Sequence, residues 1–69
     1  MDETTKDILL ITRLNIISDH IFEARRFFDE NDDREEYKSA SETCTKALCE
    51  LSQTIIKTCE RIKGGMKDE

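Results

Sequence analysis

The chain of 69 residues contains no proline, no tryptophan and no valine, and only two glycines, at positions 64 and 65. Without those breakers nothing ahead of residue 64 obliges a helix to stop, and the residue most at home in a pleated sheet is missing. Long helices are therefore expected in place of strands. The longest apolar run, Ile8-Leu9-Leu10-Ile11, is four residues, far short of the roughly 20 that cross a bilayer. No membrane association is expected. The chain opens Met1-Asp2-Glu3, where a secretory leader would place basic residues before an apolar stretch, so it is read as cytoplasmic.

The chemistry of catalysis and metal binding is sparse as well. Three cysteines, Cys44, Cys49 and Cys59, are an odd number for a disulfide framework in a cytosolic chain, and neither C-x-x-C nor H-x-x-x-H spacing occurs. At about 100° per residue Cys44 and Cys59 share one helix face, expected to be buried, and Cys49 falls on a flank. His20 is the one histidine, and two helices are too thin to enclose a pocket in which it could activate a thiol. The chain is accordingly not read as an enzyme, and no catalytic residue, cofactor or metal ligand is assigned.

What is present is charge, unevenly placed. The net charge is −5; residues 1–28 carry −1, residues 29–36 carry −5 and residues 37–69 carry +1. The acidic stretch Asp29-Glu30-Asn31-Asp32-Asp33-Arg34-Glu35-Glu36 separates two long segments with helical apolar spacing. It reads as a turn of about 29–33, in which Asn31 or Asp32 caps the following helix and Asp32 with Glu35, or Asp33 with Glu36, supplies the spacing of a cap and its acid. Asp29, Asn31 and Asp33 also alternate as in the first half of a calcium loop. Arg34 stands where that loop needs glycine and Ala40 where it needs a bidentate glutamate, so the capping reading is preferred. A phosphate-tracking face needs clustered bases, and only Arg25-Arg26 or Lys57, Arg61 and Lys63 could begin one; nucleic acid is not the expected partner.

The first helix is expected over about 5–29, with Thr4 and Asp7 as cap and following acid and a buried stripe of Leu10, Leu14, Ile17, Ile21, Ala24 and Phe28. Ile8, Leu9, Ile16 and Phe22 lie off that stripe. One neighbouring helix cannot cover both. The second helix is expected over about 33–63, with a seam of Tyr37, Ala40 or Ser41, Cys44, Leu48, Leu51, Ile55, Cys59 and Ile62, flanked by Ala47 and Ile56. Gly64-Gly65 should end it and leave 64–69 as a tail. Tyr37, beside the turn, should pack on Phe27 or Phe28. The fold class is all-α: one domain, 1–69, a two-helix antiparallel hairpin of coiled-coil type.

A chain this short buries only about 60% of the surface its unfolded form exposes, so a hairpin with apolar residues on both flanks of one helix calls for a partner or for dimerisation. Glu36-Tyr37 after the acidic turn, followed by Lys46-Ala47-Leu48 and, beyond Cys49, Glu50-Leu51, resembles the second-helix pattern of the small E-type cochaperones of type III secretion systems, the group of YscE, PscE, SsaE and EscE. The resemblance implies a cytoplasmic helical hairpin that binds a tetratricopeptide-repeat chaperone and, with it, keeps a needle subunit soluble before export, a virulence function. Tyr37, Lys46, Ala47, Leu48 and Leu51 match the patterned positions. The interface expected on both grounds comprises Ile8, Leu9, Ile16, Phe22, Tyr37, Leu48 and Leu51. The alternatives are a homodimer closing into a four-helix bundle, similar to the RNA-binding copy-control hairpin Rop with Lys6, Arg13, Arg25 and Arg26 as its basic face, and a small phage- or plasmid-encoded inhibitor of a host protein.

Overall fold

The computed structural model of the chain describes residues 1–31 and 33–67, the side chains of 65–67 excepted. Two helices, α1 (Glu3–Glu30) and α2 (Glu35–Lys67), fold back on each other as an antiparallel hairpin, with no strand among the described residues. The long dimension is 56 Å against 17 and 13 Å across, as expected for a 33-residue helix rising about 1.5 Å per residue.

Local chemistry sets the helix ends, and it differs from the sequence expectation at each of the four. Asp2, with extended backbone, caps α1: its carboxylate accepts the backbone N–H of Thr5 at 2.7 Å. Thr4 and Asp7 are thus already inside the helix. At the other end Asn31 closes α1 instead of opening α2, donating its backbone N–H to the Phe28 carbonyl at 3.3 Å and its side-chain amide to that of Phe27 at 2.8 Å. An Asn side chain that reaches a last-turn carbonyl satisfies an acceptor the helix would otherwise leave open. The carbonyl that opens α2 belongs to Arg34, which accepts from Tyr37 and Lys38 at 3.2 Å, with Glu35 and Glu36 in the first turn where acids suit the dipole. α2 thus begins two residues later than expected, and the capping role proposed for Asp32 lies outside the described residues. Gly64 and Gly65 do not stop α2. The helix runs through both to Lys67 with no positive-φ glycine among the described residues, so the left-handed turn that makes glycine a terminator is absent there.

The inward face of α2 follows the sequence reading closely. Tyr37, Ala40, Ser41, Cys44, Ala47, Leu51, Ile55 and Ile62 are half-buried and Leu48 is buried, while Thr58 replaces Cys59 in the last turns. Steps of four and three from Leu51 through Ile55 reach Thr58 and then Ile62; Cys59 falls one residue past the seam and is exposed. Thr58 tolerates burial because its hydroxyl donates to the Thr54 carbonyl at 2.8 Å. Ile56, expected beside the seam, is exposed.

In α1 the expected stripe holds at Leu14, Ile21, Ala24 and Phe28 but fails at Leu10 and Ile17, which are exposed. Their places are taken by Ile11 and Ser18, and the seam begins at Asp7, a buried carboxylate. Leu48 is the one buried apolar residue among those described, and even it keeps 8% of its surface exposed. The core is a single thin layer between two helices, as the chain length requires.

Candidate interaction surface

Two different devices hold the hairpin closed, one at each end. At the turn, Phe27, Phe28 and Tyr37 form a three-ring cluster with centroids 5.7 to 5.9 Å apart, two of the contacts edge-to-face, the geometry that ring quadrupoles favour. Asp29 adds a polar tie, accepting the hydroxyl of Ser41 and lying 3.7 Å from Arg25. At the open end Arg61 grips Asp7 with two parallel hydrogen bonds, Nη2 to Oδ1 at 2.6 Å and Nε to Oδ2 at 3.0 Å. Such a fork fixes rotation as well as distance.

This pair explains the rotation of α1. Asp7 must face α2 to meet Arg61, and at about 100° per residue that choice brings Ile11, Leu14 and Ser18 inward and turns Leu10 and Ile17 away. The hydrogen bonds from Arg61 hold the Asp7 carboxyl below the usual carboxylate range, opposed by its burial and helped by the guanidinium charge; the Arg61 pKa is raised in return by the same hydrogen bonds. Asp2 is lowered too, by the backbone N–H of Thr5. Sequence patterning assigned Asp7 to capping and counted Arg61 among the bases with Lys57 and Lys63, and no local spacing signals a contact between residues 54 apart.

The residues expected to form a partner interface separate into two groups. Ile8 (53% exposed), Leu9, Ile16 and Phe22 (55%) all lie on the outside of α1, joined there by Leu10, Ile17 and Phe27. They do not form one stripe: Ile8 and Phe22 share one edge of α1, whereas Leu9 and Ile16 lie about 100° away on the side opposite α2. Leu48, Leu51 and Tyr37 instead belong to the hairpin itself. Leu48 is buried, Leu51 half-buried, and Tyr37 packs on Phe27 and Phe28 as its position beside the turn suggested. These three differ from the other four expected interface residues in packing within the hairpin: Leu48 has little surface left to give a partner, and Leu51 and Tyr37 are half-covered by α1.

The remaining chemistry is dispersed. The described residues contain no group of three or more His, Cys, Asp or Glu side chains placed to hold a metal ion, and Asp29, first of the supposed calcium ligands, is turned toward Arg25 and Ser41. The cysteines are free thiols, Cys44 half-buried and Cys49 and Cys59 exposed; Cys59 was expected to be buried. His20 is exposed. An open depression at the turn end of α1 is lined by Phe22, Arg25, Arg26, Asp29 and Glu30. No described helix is long and apolar enough to cross a membrane. Neither family models, nor curated proteins, nor solved structures give a match to this chain.

Proposed function

We propose that the chain is a protein-binding cochaperone or adaptor, acting in the cytoplasm through the outer surface of α1. The observation that carries the reading is the concentration of apolar area on one helix: seven large apolar residues between Ile8 and Phe27 are exposed on α1, against Ile56 alone among the described residues of α2. Scattered exposed apolar residues are ordinary on a small protein, but a series along a single helix marks a surface to be covered. On this reading α2 is the support that keeps α1 helical, and the acidic turn keeps the tip hydrated. The partner that the sequence resemblance suggests is a tetratricopeptide-repeat chaperone, whose concave helical surface suits an elongated helix, with a needle subunit as the cargo held soluble by the pair.

Co-expression tests it directly. The chain should co-purify with a tetratricopeptide-repeat chaperone of a type III secretion system and raise the soluble yield of its needle subunit. Ile16→Asp with Phe22→Asp should abolish co-purification while leaving the circular dichroism of the isolated chain helical. Loss of helicity in that variant would place these side chains in the core, and undiminished binding would move the interface off α1. The Rop-like alternative loses support at Arg25, which pairs with Asp29 and is half-buried, leaving a thinner basic face.

A further inference from the structure

The outer surface of α1 carries an ordered pattern of charge as well as apolar area. Alternating steps of three and four from Lys6 reach Leu9, Arg13 and Ile16, and the same steps continued reach His20, Glu23, Phe27 and Glu30. All of these positions are exposed. Three-four spacing is the seam of a helix packed lengthwise on another, and this one is distinct from the inner seam: Leu9 and Ile11, or Leu14 and Ile16, lie about 160° apart around the helix.

We infer that, when the partner proposed above is absent, a second copy of this chain covers this stripe, α1 against α1 in antiparallel order about a two-fold axis at the level of Ser18. In that order each position meets a complement. Lys6 faces Glu30 of the second copy, Arg13 faces Glu23, Leu9 faces Phe27 and Ile16 faces His20. Each contact occurs twice by symmetry, as an isologous interface requires. The parallel order instead sets Lys6, Arg13, Glu23 and Glu30 each against its own copy, like charge on like charge. It also brings the two acidic tips together, each carrying −5 over residues 29–36. The antiparallel order puts the tips at opposite ends of a particle at least 56 Å long, many times the screening distance of about 8 Å in physiological salt. Slipping the antiparallel register by one heptad leaves Lys6 and Leu9 without a counterpart in one direction and Phe27 and Glu30 in the other, so the whole stripe is used in one register. Because this seam lies roughly opposite the inner one, the four helices form a row, with α1 and its copy in the middle, and not the square bundle of a Rop-type dimer. Leu10 and Ile17 border the stripe and extend the apolar contact.

Charge exchange tests the pairing on the purified chain alone, so the outcome does not depend on the adaptor reading. Sedimentation velocity with light scattering should give a dimer for the natural chain. Arg13→Glu and Glu23→Arg should each weaken dimerisation by about tenfold or more, since each sets like charges opposite one another twice. An equimolar mixture of the two variants should return to the dimer, because in the mixed pair both contacts are again of opposite sign. Lys6→Glu with Glu30→Lys gives the same exchange one layer further out, should either first variant lose helicity. A natural chain that stays monomeric at every accessible concentration would overturn the inference, as would single variants that dimerise as tightly as the natural chain or a mixture no tighter than its components.

Discussion

Truncating Leu48 to alanine is the sharpest test of how the two helices face each other. Leu48 is 8% exposed and is the one buried apolar side chain among the described residues. Leucine-to-alanine changes in well-packed cores are destabilising by about 2–5 kcal/mol, the upper part of that range coming from the cavity left behind. Here the neighbours Cys44 and Leu51 on the same face are only half-buried, so water reaches the gap and the cavity term is small. Alanine also gains a few tenths of a kcal/mol in helix propensity. The expected loss is therefore at the low end, about 2 kcal/mol, which for a domain of this size lowers the melting temperature by roughly 8–16 °C. The control is Ile56→Ala: that side chain is 57% exposed and should move stability by less than about 0.5 kcal/mol. Both are read by thermal and urea unfolding followed at 222 nm, at one fixed protein concentration because self-association makes the midpoint concentration-dependent. If Leu48→Ala loses less than about 1 kcal/mol while Ile56→Ala loses as much or more, α2 presents a different side to α1 and the seam described above is wrong.

Three further outcomes are expected. Because the Asp7 carboxyl is depressed by Arg61, the stability it contributes is present above the ordinary aspartate range and is lost as pH falls through the lowered value. Acid unfolding should thus be steeper for the natural chain than for Asp7→Asn, and at neutral pH Arg61→Ala should be more damaging than Asp7→Asn, because it strands a buried charge where the other change removes it; chemical denaturation at a series of pH values reads both. Tyr37→Ala, which removes two ring contacts at the turn, should lose about 1–2 kcal/mol in urea unfolding, and Tyr37→Phe, which keeps them, less than about 0.5 kcal/mol. Gly64→Ala should stabilise, by up to about 0.5–1 kcal/mol, since the position is helical and a methyl group there meets open space. A decrease in melting temperature would show that Gly64 ends the helix in a left-handed turn after all.

The two helices were unequally legible in the sequence, for a physical reason. In α2 the outward positions are mostly polar, so only one face could be buried, and nearly every inward residue follows from spacing. In α1 four apolar residues in a row, Ile8 to Ile11, offer a plausible core residue in almost every direction. Periodicity cannot choose among them. The choice is made by a polar contact across 54 residues, Asp7 with Arg61, which no local pattern encodes. Helix ends show the same limit on a smaller scale: Asp2 and Thr4 are equally good caps on paper and the hydrogen bonds select Asp2, while Asn31, expected to open α2, closes α1 and the opening carbonyl is that of Arg34. The outer surface was legible as apolar from Ile8, Leu9, Ile16 and Phe22. That Leu48, Leu51 and Tyr37 pack within the hairpin needed the structure.

The two end devices also imply an order of assembly. Joining Phe27 to Tyr37 closes a loop of ten residues, whereas joining Asp7 to Arg61 first would close one of 54. With loop-closure entropy growing as the logarithm of length, the difference is about 1.5 kcal/mol in favour of starting at the rings. The helices thus zip from the turn outward, and the ion pair is the last tie to form and the first to open. Amide hydrogens near Asp7 and Arg61 should exchange sooner than those near Leu48, and the chain end held by the Asp7–Arg61 ion pair is the end that breathes.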